Sequence, residues 1–218
     1  MFSYYGSKSL LAKHYPVPTH DKIIEPFAGA ARYSLLHWEK EVTIVDAYDV
    51  VIRIWKWLQT CSPADIYSLP ELKKGEFIRD FNISDEEKLF LGMMAGVAST
   101  SPRNKVSAFS AECNGRKNRF KRIVEHLPKI KHWNIILGDY REIENTEATW
   151  FIDPPYQFGG QGYKHKKIDY PSLAEWCKER QGQVIVCENS QATWLPFEPL
   201  TKFRGAMSSY TESMYTNS

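Results

Sequence analysis

A chain of 218 residues with 43% apolar and 25% charged side chains has the make-up of a folded domain, which excludes disordered, collagen-like and coiled-coil classes. It is long enough to bury a core without disulfides or structural metals. The formal net charge is only +2, yet between Ser101 and His132 nine Lys or Arg face two acids, so the basic charge is concentrated in one segment and the remainder is acidic. The apolar runs, such as Lys88 to Val97 and Gln183 to Cys187, fall short of the roughly 20 residues a membrane helix needs. The first residues read without an export signal, so a cytoplasmic protein is expected. Cys61, Cys113, Cys177 and Cys187 stand far apart with no Cys-x-x-Cys pair, which predicts free buried thiols and no metal site.

In chain order, Ile23-Ile24-Glu25 reads as a short strand. A glycine turn follows at Phe27 to Ala31, and then a helix through Arg32, Leu35, Leu36 and Trp38. Val42 to Val45 is a second β-branched run ending at Asp46, and Val50, Val51, Ile54, Trp55 and Leu58 repeat at helical spacing. Pro63 and Pro70 interrupt the pattern. Ser84, with Glu87 three residues on, signals a helix start that should run to about Ala98. Ser99 to Asn118 reads as a loop, and Arg119 to Leu127 as a basic helix stopped by Pro128.

Asn134 to Leu137, Thr149 to Ile152 and Val184 to Cys187 are short apolar runs expected of strands buried on both faces of a parallel sheet. A crossover helix is predicted over Pro171 to Glu179. The whole predicts an α/β fold with a mostly parallel, Rossmann-like sheet. Residues 1–60 and 133–218 would form the sheet domain, split by a small, mostly helical basic insert over 61–132.

Three features could carry chemistry. Small residues at Phe27 to Ala31 let a ligand approach the backbone and a helix N-terminus, although a plain structural turn reads the same way. Asp46, at the tip of the second strand, is placed to accept hydrogen bonds from two ribose hydroxyls. Asp153-Pro154-Pro155-Tyr156, directly after an apolar strand, is the most specific. Two prolines stiffen the backbone and remove two donors, leaving a carboxylate, carbonyl oxygens and an aromatic ring, or else a simple Pro-rich turn. As a clamp it suits a planar amine, with Asp153 and the Pro154 carbonyl accepting from an exocyclic –NH2 while Tyr156 stacks on the ring.

The basic segment, with Arg103, Lys105, Arg116, Lys117, Arg119, Lys121 and Arg122, suits a polyanion or a solvated helix face. Downstream of Tyr156, three glycines precede Lys164, Lys166 and Lys167. That pattern predicts a mobile loop, with the lysines near phosphates and Phe158 or Tyr163 against a base. The six histidines have no nucleophile or carboxylate constellation around them.

In the order Tyr4-Tyr5-Gly6-Ser7-Lys8, Glu25-Pro26-Phe27-Ala28-Gly29-Ala30, Val45-Asp46 and Asp153-Pro154-Pro155-Tyr156, the chain resembles the Dam-like (D12 class) S-adenosylmethionine-dependent DNA adenine-N6 methyltransferases. The resemblance implies a Rossmann-like methyltransferase sheet whose insert, between the two halves, recognises double-stranded DNA. Tyr4, Lys8, Glu25, Pro26, Phe27, Ala28, Gly29, Ala30, Asp46 and Asp153 would contact S-adenosylmethionine, and Asp153 would lie beside both cofactor and target amine. One departure is plain: where that family commonly has a second loop glycine, this chain has Ala31. Cytosine-N4 or RNA adenine methylation, and a non-catalytic DNA-binding scaffold, remain alternatives. A monomer is expected, and the recognition sequence is not readable.

Overall fold

A computed structural model describes residues 1–96, 99–112, 116–204 and 209–217. Seven strands form one sheet: β1 (Lys22–Glu25), β2 (Glu41–Asp46), β3 (Asn134–Leu137), β4 (Ala148–Ile152), β5 (Gly182–Asn189), β6 (Glu198–Arg204) and β7 (Ser209–Thr216). Their spatial order is β3-β2-β1-β4-β5-β7-β6. All neighbouring pairs are parallel up to β5, and β7 lies antiparallel to both β5 and β6. This is the mostly parallel, Rossmann-like sheet the sequence predicts. The order reverses between β1 and β4, which pair directly through Ile23 with Thr149 and Ile24 with Trp150. The loops leaving the carboxyl ends of β1 and β4 therefore flank the switch point, where ligands bind in open α/β sheets.

The two-residue period of the strands divides the core. Ile23, Phe151, Ile185 and Cys187 face one side, whereas Ile24, Trp150, Ile152, Val184 and Val186 face the other. On the first side pack α1 (Arg32–Leu36), α2 (Asp49–Thr60) and α4 (Asp85–Ala95), with Tyr33, Trp55 and Phe90 fully buried. On the second side, Leu173, Ala174 and Cys177 of α7 (Tyr170–Lys178) cover β4 and β5. Between Cys61 and His132 lie α3 (Pro63–Ser68), α4, α5 (Ala108–Glu112) and α6 (Arg116–His126). Their Ile66, Phe90, Phe120 and Ile123 join the same buried cluster as Trp55 of α2. The Trp57 and Phe90 rings lie 5.0 Å apart. No helix among the described residues is long and apolar enough to cross a membrane.

Several local expectations are corrected. Two strands, β6 and β7, close the sheet where none was expected. They read as polar, and β7 buries Glu212 and Ser213. β3 is an edge strand with only Ile135 buried, not a strand covered on both faces. Helix α1 stops at Leu36, short of Trp38, because the chain turns through His37 to Lys40 to enter β2. Pro63 begins α3 behind a Ser62–Asp65 capping box where only a break was read. The stretch read as a loop over 99–118 contains α5, which Ser107 starts by accepting from the Ser110 N–H, and the first turn of α6. Cys61, Cys177 and Cys187 are free and buried, and Cys113 lies outside the described residues.

Candidate active site at the switch point

The loop after β1 is tied down from two directions. Asp46 accepts the Gly29 N–H through Oδ2 (2.9 Å) and the Tyr48 N–H through Oδ1 (2.8 Å), and the buried Trp55 indole donates to the Gly29 carbonyl (2.9 Å). Gly29 has φ +45°, and a Cβ there would come to 3.0 Å from the Tyr4 ring, so a side chain at this position would be strained. Ala31, at φ +42°, caps α1 in the left-handed region. Where the resembled family has glycine, the alanine thus bears backbone strain as well as an extra methyl group. Glu25 is 2% exposed; its Oε1 accepts the Ser34 N–H (3.1 Å), and its Oε2 has no hydrogen-bond partner among the described residues. Burial pushes its carboxyl up to about 8, against the opposing amide hydrogen bond from Ser34.

The loop after β4 begins with Asp153, whose Oδ1 lies 2.8 Å from the Lys8 ammonium. Lys8 is itself buried, bonds the Gly6 carbonyl (3.3 Å) and sits over the Tyr156 ring, 4.7 Å from its centroid. The same ammonium is 3.7 Å from Glu212 of β7, a carboxylate that also accepts the Tyr15 hydroxyl (2.6 Å) and the Tyr156 hydroxyl. Burial raises Asp153 to about 6, with Lys8 pulling back and Glu212 adding to the rise. For Lys8, burial favours the neutral amine, but Asp153 and Glu212 outweigh it and hold the ammonium charged. Pro154 and Pro155 are buried, and the Pro155 carbonyl accepts the Tyr170 hydroxyl (2.9 Å). Beyond Tyr156, Glu188 accepts the Gln157 N–H (2.6 Å), and Asn189 donates to the Phe158 carbonyl (2.6 Å), which ties the glycine-rich loop to the end of β5.

Two cavities meet at this cluster, sharing Tyr4 to Lys8, Arg32 and Tyr163 as common walls. The first, about 460 Å³, is lined by the whole 25–31 loop, Asp46, Asp153 and Pro155, and its volume falls in the usual range for small-molecule sites. It thus gathers Tyr4, Lys8, Glu25, Pro26, Phe27, Ala28, Gly29, Ala30, Asp46 and Asp153, all ten residues named as cofactor contacts. The second, about 980 Å³, is lined by Tyr156, Phe158, Glu212, Arg119 and Arg122 among others.

Of the ten basic residues assigned to DNA, the eight described ones do not line one cavity. Arg119 and Arg122 line the second cavity, whereas Lys164, Lys166 and Lys167 line the first. Lys105 lies over the Phe77 ring (5.7 Å), Arg103 bonds the Gly92 carbonyl through its backbone, and Lys121 is exposed on α6. The side chains of Arg116 and Lys117 lie outside the described residues.

Sequence reasoning missed Glu212, because its strand of polar residues gave no apolar period to flag it, and Tyr15, which lies in the irregular chain before β1. It also missed Asp139 and Tyr140, which line the first cavity just beyond β3. There, the Asp139 side chain caps a turn and grips Arg141 (2.7 and 2.9 Å), and Tyr140 packs on Phe27 (5.2 Å). An acid one residue past a strand-end glycine was the available signal.

No protein-family model and no curated protein matches the chain. Among solved structures, the chain is similar to yhhF of Escherichia coli, provisionally assigned as a methyltransferase, at 8% identity and TM-score 0.38 over 88% of this chain and 74% of that one. It is also similar to HI0767 of Haemophilus influenzae, provisionally assigned as a methylase (10%, TM-score 0.36, 88% and 85%), and to a conserved hypothetical protein of Streptococcus pyogenes (8%, TM-score 0.36, 88% and 84%). Scores this low carry no argument, and the fold assignment rests on the strand order and direction.

Proposed function

We propose that the protein is a methyltransferase that uses S-adenosylmethionine to methylate N6 of an adenine turned out of double-stranded DNA. The observation that carries the reading is the cluster of buried Lys8 and Glu212 with partly buried Asp153 and Tyr156 at the boundary of two cavities. It gives one chamber for a methyl donor and one for an acceptor, with an amine clamp between them.

The first cavity fits the cofactor. Gly29 provides an uncluttered backbone, Asp46 an acid at the tip of β2 for ribose hydroxyls, and Glu25 a buried carboxyl oxygen without a partner that suits a cationic amine. Bound there, S-adenosylmethionine would supply an electrophilic methyl group on a sulfonium leaving group. The protein's own work is to prepare the acceptor. A conjugated amine is a poor nucleophile, and an ionised Asp153 with the Pro154 carbonyl would accept its two hydrogens and localise the nitrogen lone pair for in-line attack. Lys8 keeps Asp153 ionised and in place. Tyr156 is anchored through its hydroxyl to Glu212, with Lys8 over one ring face, and it lines the second cavity, where its ring would stack on the base. Asp153 would also accept the proton that the methylated amine sheds.

The test is nucleoside mass spectrometry of unmethylated duplex DNA and of RNA after incubation with the protein and S-adenosylmethionine. N6-methyladenine in the DNA is the expected product. N4-methylcytosine or methylated RNA would replace the acceptor but keep the clamp, and no product from either polymer would favour a non-catalytic scaffold.

A further inference from the structure

The two edges of the sheet are built differently. At one edge, β6 carries the devices that keep an open strand from pairing further. Pro199 and Lys202 stand within it, and its register against β7 shifts between Pro199 and Thr201. At the other edge, β3 reads Asn-Ile-Ile-Leu and holds an unbroken register with β2, with no proline, lysine or bulge. Ile136 is 39% exposed and Leu137 53% exposed there, so an apolar run of the kind found in interior strands stands at an open edge. Among the described residues β3 pairs with no strand but β2. A groove of about 220 Å³ adjoins it, lined by Ile24, Val45, Ile136 and Ile143 among others.

The charges at the two ends of β3 are opposite. Before the strand, Lys129 lies over the Trp38 ring (5.5 Å) and Lys131 donates to the carbonyls of Gln59 and Cys61. Neither has a carboxylate partner among the described residues. Beyond the strand, Asp139 and Arg141 pair with each other (2.7 Å), which leaves exposed Glu142 and Glu144 without a cation partner among the described residues. A two-fold axis normal to the sheet would set β3 antiparallel to the β3 of a second copy. It would also bring the basic end of each strand against the acidic end of the other.

We propose that β3 is a self-association edge, through which two copies of this chain join antiparallel and continue the seven-stranded sheet across a dimer. This departs from the monomer expected of the sequence, and it stands apart from the methyl-transfer reading. A four-residue edge buries less than the roughly 1,200–2,000 Å² of a standard interface, so the dimer should be weak, with a dissociation constant on the order of 10–100 μM.

The test needs no methyl transfer. Sedimentation velocity between about 1 and 500 μM protein should show monomer passing to dimer, and raising salt from about 0.05 to 0.5 M should weaken association severalfold. Amide hydrogen exchange at Ile135 to Leu137 should slow severalfold across the same concentrations. Leu137→Lys changes an exposed side chain and places a charge on the edge, and it should raise the dissociation constant at least about tenfold. Val17→Lys is the control: Val17 is 70% exposed and lies beside β5, where Gln183 donates to its carbonyl (3.2 Å), and association should be unchanged. Circular dichroism checks that both variants keep the fold. A monomer throughout, a dimer whose β3 amides exchange at the monomer rate, a Leu137→Lys variant that associates as tightly as the wild type, or equal weakening by Val17→Lys would overturn the proposal. Each of these outcomes would leave the methyl-transfer reading standing, and a failed transfer assay would leave the dimer standing.

Discussion

Lys8 and Asp153, 145 positions apart in the chain, form a 2.8 Å ion pair in the interior, and it closes over the point where the sheet reverses its strand order. The pair joins the N-terminal Tyr-Tyr-Gly-Ser-Lys segment to the Asp-Pro-Pro-Tyr loop. It therefore assembles the clamp from the two ends of the sheet region.

Its first consequence is a pH dependence. Asp153 must be ionised to accept from an amine, and burial places its pKa near 6. The rate of transfer should therefore fall as pH drops through about 6 and level off above about 7. A pH profile of kcat/KM checks this, and a flat profile between pH 5 and 8 would remove Asp153 from the acceptor role.

Glu212 should set that acid limb. Its charge raises Asp153 and shares the Lys8 ammonium, so Glu212→Gln, which keeps an acceptor for Tyr15 and Tyr156, should move the limb to lower pH. Lys8→Met should act more severely. It removes the counter-charge of buried Glu212 and partly buried Asp153, at a cost of about 3 kcal/mol of stability, measurable by denaturant titration.

Glu25 predicts proton release on cofactor binding. Its folded-state pKa near 8 lies above the ordinary 4.5, so the folded protein holds a proton that the unfolded chain gives up. Stability should accordingly decline as pH rises from about 4.5 to 8, by at most about 1.4 kcal/mol per unit, and Glu25→Gln should flatten that slope. A cation binding beside Glu25 would expel the proton. Calorimetry of S-adenosylmethionine binding at pH 7 in buffers of different ionisation enthalpy should then show uptake of about one proton by the buffer in the wild type and none in Glu25→Gln.

Gly6 is a steric hinge between the two loops. It has φ +72°, and a Cβ built there would lie 2.2 Å from the Tyr163 hydroxyl oxygen, which donates to the Tyr5 carbonyl. Gly6→Ala should displace Tyr163 from the wall common to both cavities and weaken S-adenosylmethionine binding, with about 1–2 kcal/mol lost to the left-handed backbone alone. Unchanged affinity in a titration would count against that role.

The parts legible in the sequence were those where chemistry and periodicity coincide. The apolar strands β1, β2, β4 and β5, the amphipathic α2, and the Ser84 cap all lie where apolar spacing or cap chemistry predicted them. The loop residues read as cofactor contacts line one cavity, because glycine, acid and proline at strand ends mark a switch point whatever surrounds them. What escaped was decided by tertiary placement. Glu212 is a surface-like residue in a polar strand until β5 and β6 enclose it. The placement of the lysines after Gly162 along the first cavity was likewise not readable from their spacing. Charge density marked the 101–132 segment as a block, but only the packing of α6 brings Arg119 and Arg122 to the second cavity, which Arg32 also lines.

The most direct test of the account compares wild type with Asp153→Ala in a single-turnover assay, following transfer of a labelled methyl group from S-adenosylmethionine to adenine in duplex DNA. Cofactor affinity is measured in parallel by calorimetry. The account predicts label in N6-methyladenine for the wild type. For the variant it predicts a loss of transfer of about a hundred- to a thousandfold, as when one preorganised polar group is removed, far larger than the change in cofactor affinity from losing one of the ten residues around that cavity. Transfer by Asp153→Ala at the wild-type rate, or a wild type that binds the cofactor yet methylates no base, would contradict it.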